Sequence, residues 1–273
     1  MKVSPIVSIA ATSEIRQKQK IRKSNVLLKR ISMSTSGMNI TYHQGVIKCL
    51  QDEKMINEHV LYSGTSGGAI VSALTACDMD PKFQLDCTKD VFKNVIIKGT
   101  EPIDEIIEML CKHLPDNAGE LCSDTVKCYM CKIKNFVPRA YYVTKFKDKQ
   151  EVIDAITSSC YIPYLLGTRP YMKYKNEPHI DGGLLKSNRM PLLSPFMGYE
   201  NEEGGDLYID ATGTRRFNNM DLKKFICYGS CGEVYTENTP FRLPATLDEC
   251  DEMFDSKFKQ GYEDTLSFLK SEQ

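Results

Sequence analysis

The chain reads as an α/β protein built around a mainly parallel sheet, and three observations carry that reading. From Val26 onward, apolar strand-like segments alternate with helix-like ones, the order that lays helices on the faces of a parallel sheet. A G-x-S-x-G sequence, Gly64-Thr65-Ser66-Gly67-Gly68, stands between one such strand and the next helix. Much later an acidic turn, Asp181-Gly182-Gly183, follows another extended segment.

Taken in order, Asn25–Ser34 predicts the first strand, and Ser34-Thr35-Ser36-Gly37 a turn after it. A helix is expected from about Asn39 to Lys54, with Ile40, His43, Val46, Ile47 and Leu50 on one face at steps of three and four. Gly45 inside it costs about 1 kcal/mol against alanine, which points to a close approach by another element. A short strand runs to Ser63, the G-x-S-x-G turn follows, and a helix extends to about Cys77. Asp80-Pro81 opens a further helix, and Pro102–His113 is another, with Ile103, Ile106, Ile107 and Leu110 on one side. Residues 99–150 are otherwise less legible. Ala140–Phe146 suits a strand, Val152–Ser159 a short helix, Lys175–Gly183 a polar turn containing Ile180-Asp181, and Phe258–Lys270 a last helix.

Composition narrows the function classes. With 273 residues, 41% apolar and 26% charged, the chain can bury a sizeable core. A net charge of −1 gives no reason to expect a nucleic-acid partner. The eleven cysteines are odd in number and scattered. Met1–Ala11 lacks a secretory apolar core, so reduced thiols in a cytoplasmic setting are the simplest expectation. No apolar run approaches the ~18 residues that would cross a bilayer. Residues 1–25, with Arg16, Lys18, Lys20, Arg22 and Lys23, parse as a basic tail, and 26–273 as a single domain. Such a tail is either simply solvated or a contact for anionic lipid, worth about 1 kcal/mol per cation at the surface.

Ser66 is the candidate nucleophile. A serine on a tight strand-to-helix turn meets the free N–H groups and dipole of the helix start, which favour developing negative charge. Gly64 and Gly68 remove side chains where the backbone reverses. A plain Gly/Ser turn is the alternative. A base is needed, and the only histidines are His43, His59, His113 and His179. None follows His179, so the Ser…Asp…His order of α/β-hydrolases is disfavoured. Asp181 is the better partner, because a carboxylate on an Asp-Gly-Gly turn can take the hydroxyl proton and return it to the leaving group. Here too a simple turn is the plainer reading. Cys128 and Cys131, with Cys122 upstream, lack the second pair that a structural zinc site needs. No Walker or dinucleotide motif is present, and no cofactor or metal is expected.

Together these pieces resemble the patatin-like phospholipase family, most closely its adiponutrin-like branch. Ile31–Val46, with Tyr42-His43-Gln44-Gly45, is similar to the branch's Gly-rich loop and following helix. Gly64–Gly68 is similar to its nucleophile elbow, and Ile180–Gly183 to its Asp-Gly-Gly/Ala motif. Ser158–Pro163, Leu193–Phe196 and Gly261-Tyr262 add support. The resemblance covers about residues 26–195. It implies a three-layer α/β/α fold and a Ser66–Asp181 dyad without histidine. It also implies cleavage of acyl esters of phospholipids or glycerolipids at a membrane or droplet surface, through an acyl-enzyme. Backbone N–H groups of Ser36, Gly37 and Met38 would form the oxyanion hole, and Gly64, Gly67, Gly68, Gly182 and Gly183 would shape the turns. The chain departs from the branch's G-x-G-x-x-G at Thr35 and Ile40. If either must adopt φ > 0, the strain is about 1–3 kcal/mol. The alternative is therefore a lipid-binding or scaffold protein on the same fold, with weak or no catalysis.

Overall fold

The computed structural model describes residues 27–184, 207–213, 225–230 and 240–271. The expected basic tail at 1–25 and the Leu193–Phe196 match lie outside the described residues. Strand β1 (Arg30–Met33) leads through a 3-10 turn (Gly37–Asn39) into α1 (Ile40–Asp52). Strand β2 (Leu61–Thr65) leads into α2 (Gly67–Ala76), followed by α3 (Pro81–Lys98), α4 (Pro102–His113) and α5 (Ala118–Cys122). A hairpin of β3 (Val126–Lys134) and β4 (Val137–Val143) precedes α6 (Lys149–Cys160) and a second hairpin, β5 (Met172–Tyr174) and β6 (Glu177–Ile180). Another 3-10 turn (Gly182–Leu184), β7 (Leu207–Asp210), β8 (Phe225–Cys227) and α7 (Leu247–Ser271) complete the described chain.

The strands form one mixed sheet in the order β5-β6-β3-β2-β1-β7-β8, with β4 on β3. Neighbours from β3 through β8 are parallel, and the β3–β4, β3–β6 and β5–β6 pairs are antiparallel. Side-chain alternation gives the sheet a fully apolar face of Ile31, Met33, Val126, Cys128, Met130, Leu207 and Ile209, all buried. Helices α2 and α6 pack against the sheet, and α1 packs on α2, α3 and α7. The α/β class and mainly parallel sheet expected from sequence are present.

The helix starts follow local chemistry. The Asp80 side chain accepts from the N–H groups of Lys82 and Phe83, capping α3 one residue before Pro81. Asp148 caps α6 in the same way, through Glu151 N–H. Gly45 does mark a close approach: a Cβ there would lie 2.0 Å from the Phe258 carbonyl oxygen of α7. Gly261 on α7 reciprocates, 2.1 Å from the Tyr42 carbonyl oxygen. The two helices interlock backbone to backbone.

Several boundaries differ from expectation. The second strand of the first hairpin is Val137–Val143, three residues before the predicted segment, and β3 lies in the stretch that the cysteines obscured. The segment expected as a polar turn at 175–183 contains strand β6, flanked by the β5–β6 turn and the 3-10 turn. Helix α7 begins at Leu247, eleven residues before its predicted start. Its first turns are rich in acids on the exposed side, which hid the apolar stripe of Cys250, Met253 and Phe254.

Candidate active site

Register explains how residues 115 positions apart meet. On β3, Tyr129 pairs with Thr65, the last residue of β2, while Cys131, two residues further on, pairs with Ile180, the last residue of β6. Strand β2 runs parallel to β3 and β6 antiparallel to it. Their carboxyl ends therefore approach each other beside the same strand. Ser66 leaves one end and Asp181 the other.

The elbow is as tight as the glycines suggested. Ser66 has φ 58° and ψ −130°, a strained conformation for a residue with a side chain, and it caps the amino end of α2. A Cβ on Gly64 would stand 2.3 Å from the Gly68 carbonyl oxygen, and one on Gly68 would stand 2.5 Å from the Ser34 carbonyl oxygen. A Cβ on Gly67 would meet Ser36 Oγ at 2.1 Å. Ser159 holds the strained backbone: Ser66 N–H donates to its Oγ at 2.9 Å, and that hydroxyl donates to the Tyr129 carbonyl. Nothing in the sequence distinguished Ser159 from its neighbours beyond the Ser158–Pro163 match.

Asp181 is almost fully buried. Its backbone N–H donates to the Tyr161 carbonyl at 2.8 Å, and its Oδ1 accepts from Gly183 N–H at 2.6 Å. Oδ2 has no hydrogen-bond partner among the described residues. The Ser66 hydroxyl is near enough to the Asp181 carboxyl group to favour its ionised form. Burial pushes the Asp181 pKa up to about 6, with Ser66 and Gly183 N–H pulling the other way. A carboxylate poised near neutrality is suited to proton transfer.

The loop between β1 and α1 faces the elbow. Gly37 is its one residue of positive φ, at 51°. Ile40 is ordinary right-handed helix at φ −54°, and Thr35 is not among the positive-φ residues. The strain anticipated at these two departures from G-x-G-x-x-G does not arise. Ser36 and Gly37 N–H make no hydrogen bond among the described residues, whereas Met38 N–H donates to the Pro240 carbonyl at 2.7 Å. The loop is braced from behind. Neutral His43, its pKa lowered to about 4 by burial, bonds through Nε2 to the Ser34 carbonyl at 2.9 Å. Lys257 of α7, fully buried, donates to the Met38 carbonyl at 3.4 Å.

Ser66 opens onto an apolar cavity lined by Met38, Ile40, Ile70, Val91, Phe92, Ile106, Met109, Ile162, Leu165, Leu166 and Pro240. The lining suits an alkyl chain.

The remaining candidates sit elsewhere. His179 is not a surface residue: it is buried among Tyr141 and Tyr174, with Nδ1 on the Glu177 carbonyl at 2.9 Å. His59 is exposed, and His113 stacks edge-on against Phe83. Cys128 and Cys131 project to opposite sides of β3, toward the Ala155 and Gly182 carbonyls. Among the described residues no three His, Cys, Asp or Glu side chains are placed to hold a metal ion. The ten described cysteines are free thiols.

A family model described as patatin-like phospholipase matches residues 31–194. Among curated proteins, the chain is 24% identical over 261 residues to the mouse (Mus musculus) protein named 1-acylglycerol-3-phosphate O-acyltransferase Pnpla3, covering 89% of this chain and 59% of that one. It is 25% identical over 260 residues to mouse patatin-like phospholipase domain-containing protein 5, covering 88% and 56%. It is 25% identical over 162 residues to mouse omega-hydroxyceramide transacylase, covering 56% and 26%. The chain thus spans less than two thirds of the length of these relatives. VipD of Legionella pneumophila superposes with a TM-score of 0.47 at 14% identity, covering 89% of this chain and 67% of that one. With the model spanning both the Ser66 elbow and the Asp181 turn, the chain belongs to the patatin-like phospholipase family.

Proposed function

We propose that the protein is a lipid acyl hydrolase or acyltransferase working through Ser66 and Asp181. One observation carries this reading: a buried carboxylate with one oxygen pinned by Gly183 N–H and the other unpartnered among the described residues, beside a serine on a strained elbow at the mouth of an apolar cavity. Asp181 takes the Ser66 proton as Oγ attacks the ester carbonyl, and returns it to the departing lipid oxygen. The oxyanion donors are the Ser36 and Gly37 N–H groups of the loop, joined by Gly67 N–H at the amino end of α2, each worth about 3 kcal/mol of barrier. Met38 N–H, also expected from the sequence, is already taken by the Pro240 carbonyl. The acyl chain lies in the cavity. The acyl-enzyme is then resolved by water, giving hydrolysis, or by a lipid hydroxyl, giving transfer, and the acyltransferase and transacylase names of relatives make both acceptors worth testing.

A fluorophosphonate probe is expected to label the protein, and Ser66→Ala to abolish the label. Background labelling of both proteins overturns the reading. Lipid incubated with and without a monoacyl acceptor separates the two outcomes, since transfer yields a diacyl product and hydrolysis a free fatty acid. A second reading, lipid binding without turnover, is favoured by the Pro240 carbonyl that already holds Met38 N–H. It predicts vesicle binding that survives Ser66→Ala and Asp181→Asn, with no fatty-acid release from any form. The basic tail at 1–25 is a contact for anionic lipid in either case, testable by its removal.

A further inference from the structure

Nine described residues other than glycine have positive φ, and two of them are aromatic: Phe136 at 62° and Tyr164 at 65°. Both are also far out in solvent, 99% and 81% exposed. Phe136 occupies the second position of the two-residue β3–β4 turn, after Asn135 at φ 51°. Two consecutive positive φ values define the turn that strongly prefers Asn-Gly. Asparagine is present, but phenylalanine stands in the glycine place, strained and without a packing partner. Neither stability nor solubility accounts for it.

Its position is informative. Thr65, the residue before Ser66, pairs with Tyr129, and β3 continues five residues past that point to Lys134. At about 3.3 Å per residue, the turn projects roughly 17 Å beyond the elbow, from the same end of the sheet. The β5–β6 turn reaches the same level, because His179 pairs with Lys132 and Tyr174 with Glu177. Tyr164 lies in the loop whose Ile162, Leu165 and Leu166 line the cavity. The two tips, 132–139 and 173–178, carry Lys132, Lys134, Arg139, Lys173 and Lys175 against a single acid, Glu177; Glu177 is paired with Lys132, and Lys175 with Glu151 on α6.

We propose that the β3–β4 turn is a membrane-docking finger. Phe136 enters the interfacial layer of an anionic lipid surface, Lys134, Arg139 and Lys173 meet the headgroups, and Tyr164 touches the same surface at the cavity mouth. A lone apolar tip ringed by cations needs no shape-matched partner, and it is far smaller than the ~1,000 Å² expected of a specific protein interface. The proposal rests on the lipid-acting reading above, for which it supplies the orientation: the cavity faces the bilayer from which the acyl chain is drawn.

The chain contains no tryptophan, so Phe136→Trp installs a sole reporter at the tip. With phosphatidylcholine vesicles containing phosphatidylserine, its emission is expected to shift to the blue and to be quenched by brominated acyl chains. Phe136→Gly relieves the turn, so its melting temperature should hold or rise, while vesicle partitioning falls roughly tenfold. Lys134→Glu should weaken binding roughly fivefold, on anionic vesicles only. Tryptophan emission that ignores vesicles, or Phe136→Gly binding them as the wild type does, overturns the finger and assigns the tip to a protein partner. A soluble short-chain ester keeps the two readings apart. Equal ester turnover by wild type and Phe136→Gly, with vesicle binding lost, supports the finger; no ester turnover by the wild type defeats the acyl-hydrolase reading and leaves the vesicle result to judge the finger alone.

Discussion

Two tight turns meet at the cavity mouth, the elbow at 64–68 and the loop at 34–40, and they use glycine differently. In the elbow, three glycines serve space alone: their missing Cβ atoms would fall 2.1–2.5 Å from Ser36 Oγ and from backbone oxygens of Gly68 and Ser34, while the positive φ falls on Ser66. In the loop a single glycine serves both purposes, since Gly37 has φ +51° and the Pro240 oxygen 2.0 Å from its Cβ position. Thr35 and Ile40 face neither demand. Motif glycines are therefore required one at a time, by contact and dihedral, and two of the loop's three can be replaced when the chain takes this path.

Substitutions can break that contrast. Gly68→Ala should be the most damaging, because every atom it meets, in the Ser34 and Met33 carbonyl groups, belongs to the backbone leaving β1; a loss of about 3 kcal/mol is expected in denaturant unfolding. Gly37→Ala should cost about 1–3 kcal/mol and abolish fluorophosphonate labelling, since a side chain there is strained at φ +51° and its Cβ would meet the Pro240 carbonyl oxygen at 2.0 Å. Ser159→Ala leaves the buried Ser66 N–H unpaired, a penalty of about 1–3 kcal/mol, and labelling should slow about tenfold as the elbow loosens. Thr35→Gly should be the mildest: about 0.5–1 kcal/mol of lost stability from backbone freedom, with labelling rates within about threefold of wild type. A large gain in rate from Thr35→Gly would show that the loop is catalytically compromised after all.

Asp181 gives a test with opposite signs. Its folded pKa of about 6 lies above the ~3.9 of an unfolded aspartate, so the native state holds the proton more tightly. Stability from this group is gained as pH falls from about 6 toward 4 and lost as pH rises through that window. Activity moves the other way, falling below about pH 6 as the base is protonated. Asp181→Asn should accordingly be inactive yet more stable at pH 7, by about 1–3 kcal/mol in thermal or denaturant unfolding. A variant less stable than wild type would mean that the Gly183 bond outweighs the cost of burial.

Much of this site was legible because its chemistry is local. The elbow is five consecutive residues, the Asp turn is three, and Gly45 announced a backbone contact by costing helix stability without an evident return. What stayed hidden depends on distance in the chain. Strand β3 carries the register that joins Ser66 to Asp181, yet its Val126–Lys134 sequence mixes cysteines and lysines, with no clean alternation. Pro240 and Lys257 reach the loop from more than two hundred residues away, and no spacing rule connects them. His179 looked like a turn residue because its burial comes from Tyr141 and Tyr174, on other strands.

The interlock of Gly45 with Gly261 also sets a timetable. Tyr42 donates to Asp264, 222 residues further along, at 2.8 Å, and Phe92 of the cavity wall rests on Phe254, with ring centroids 5.2 Å apart. The first described helix therefore waits for the last described one before its groove is filled, while the elbow between them is already synthesised. A nascent chain stopped before Leu247 should expose an open trough to chaperones and proteases rather than a closed cavity. The same holds for a fragment cut at residue 194, where the family match ends: it would retain Ser66 and Asp181 and lack the wall behind them.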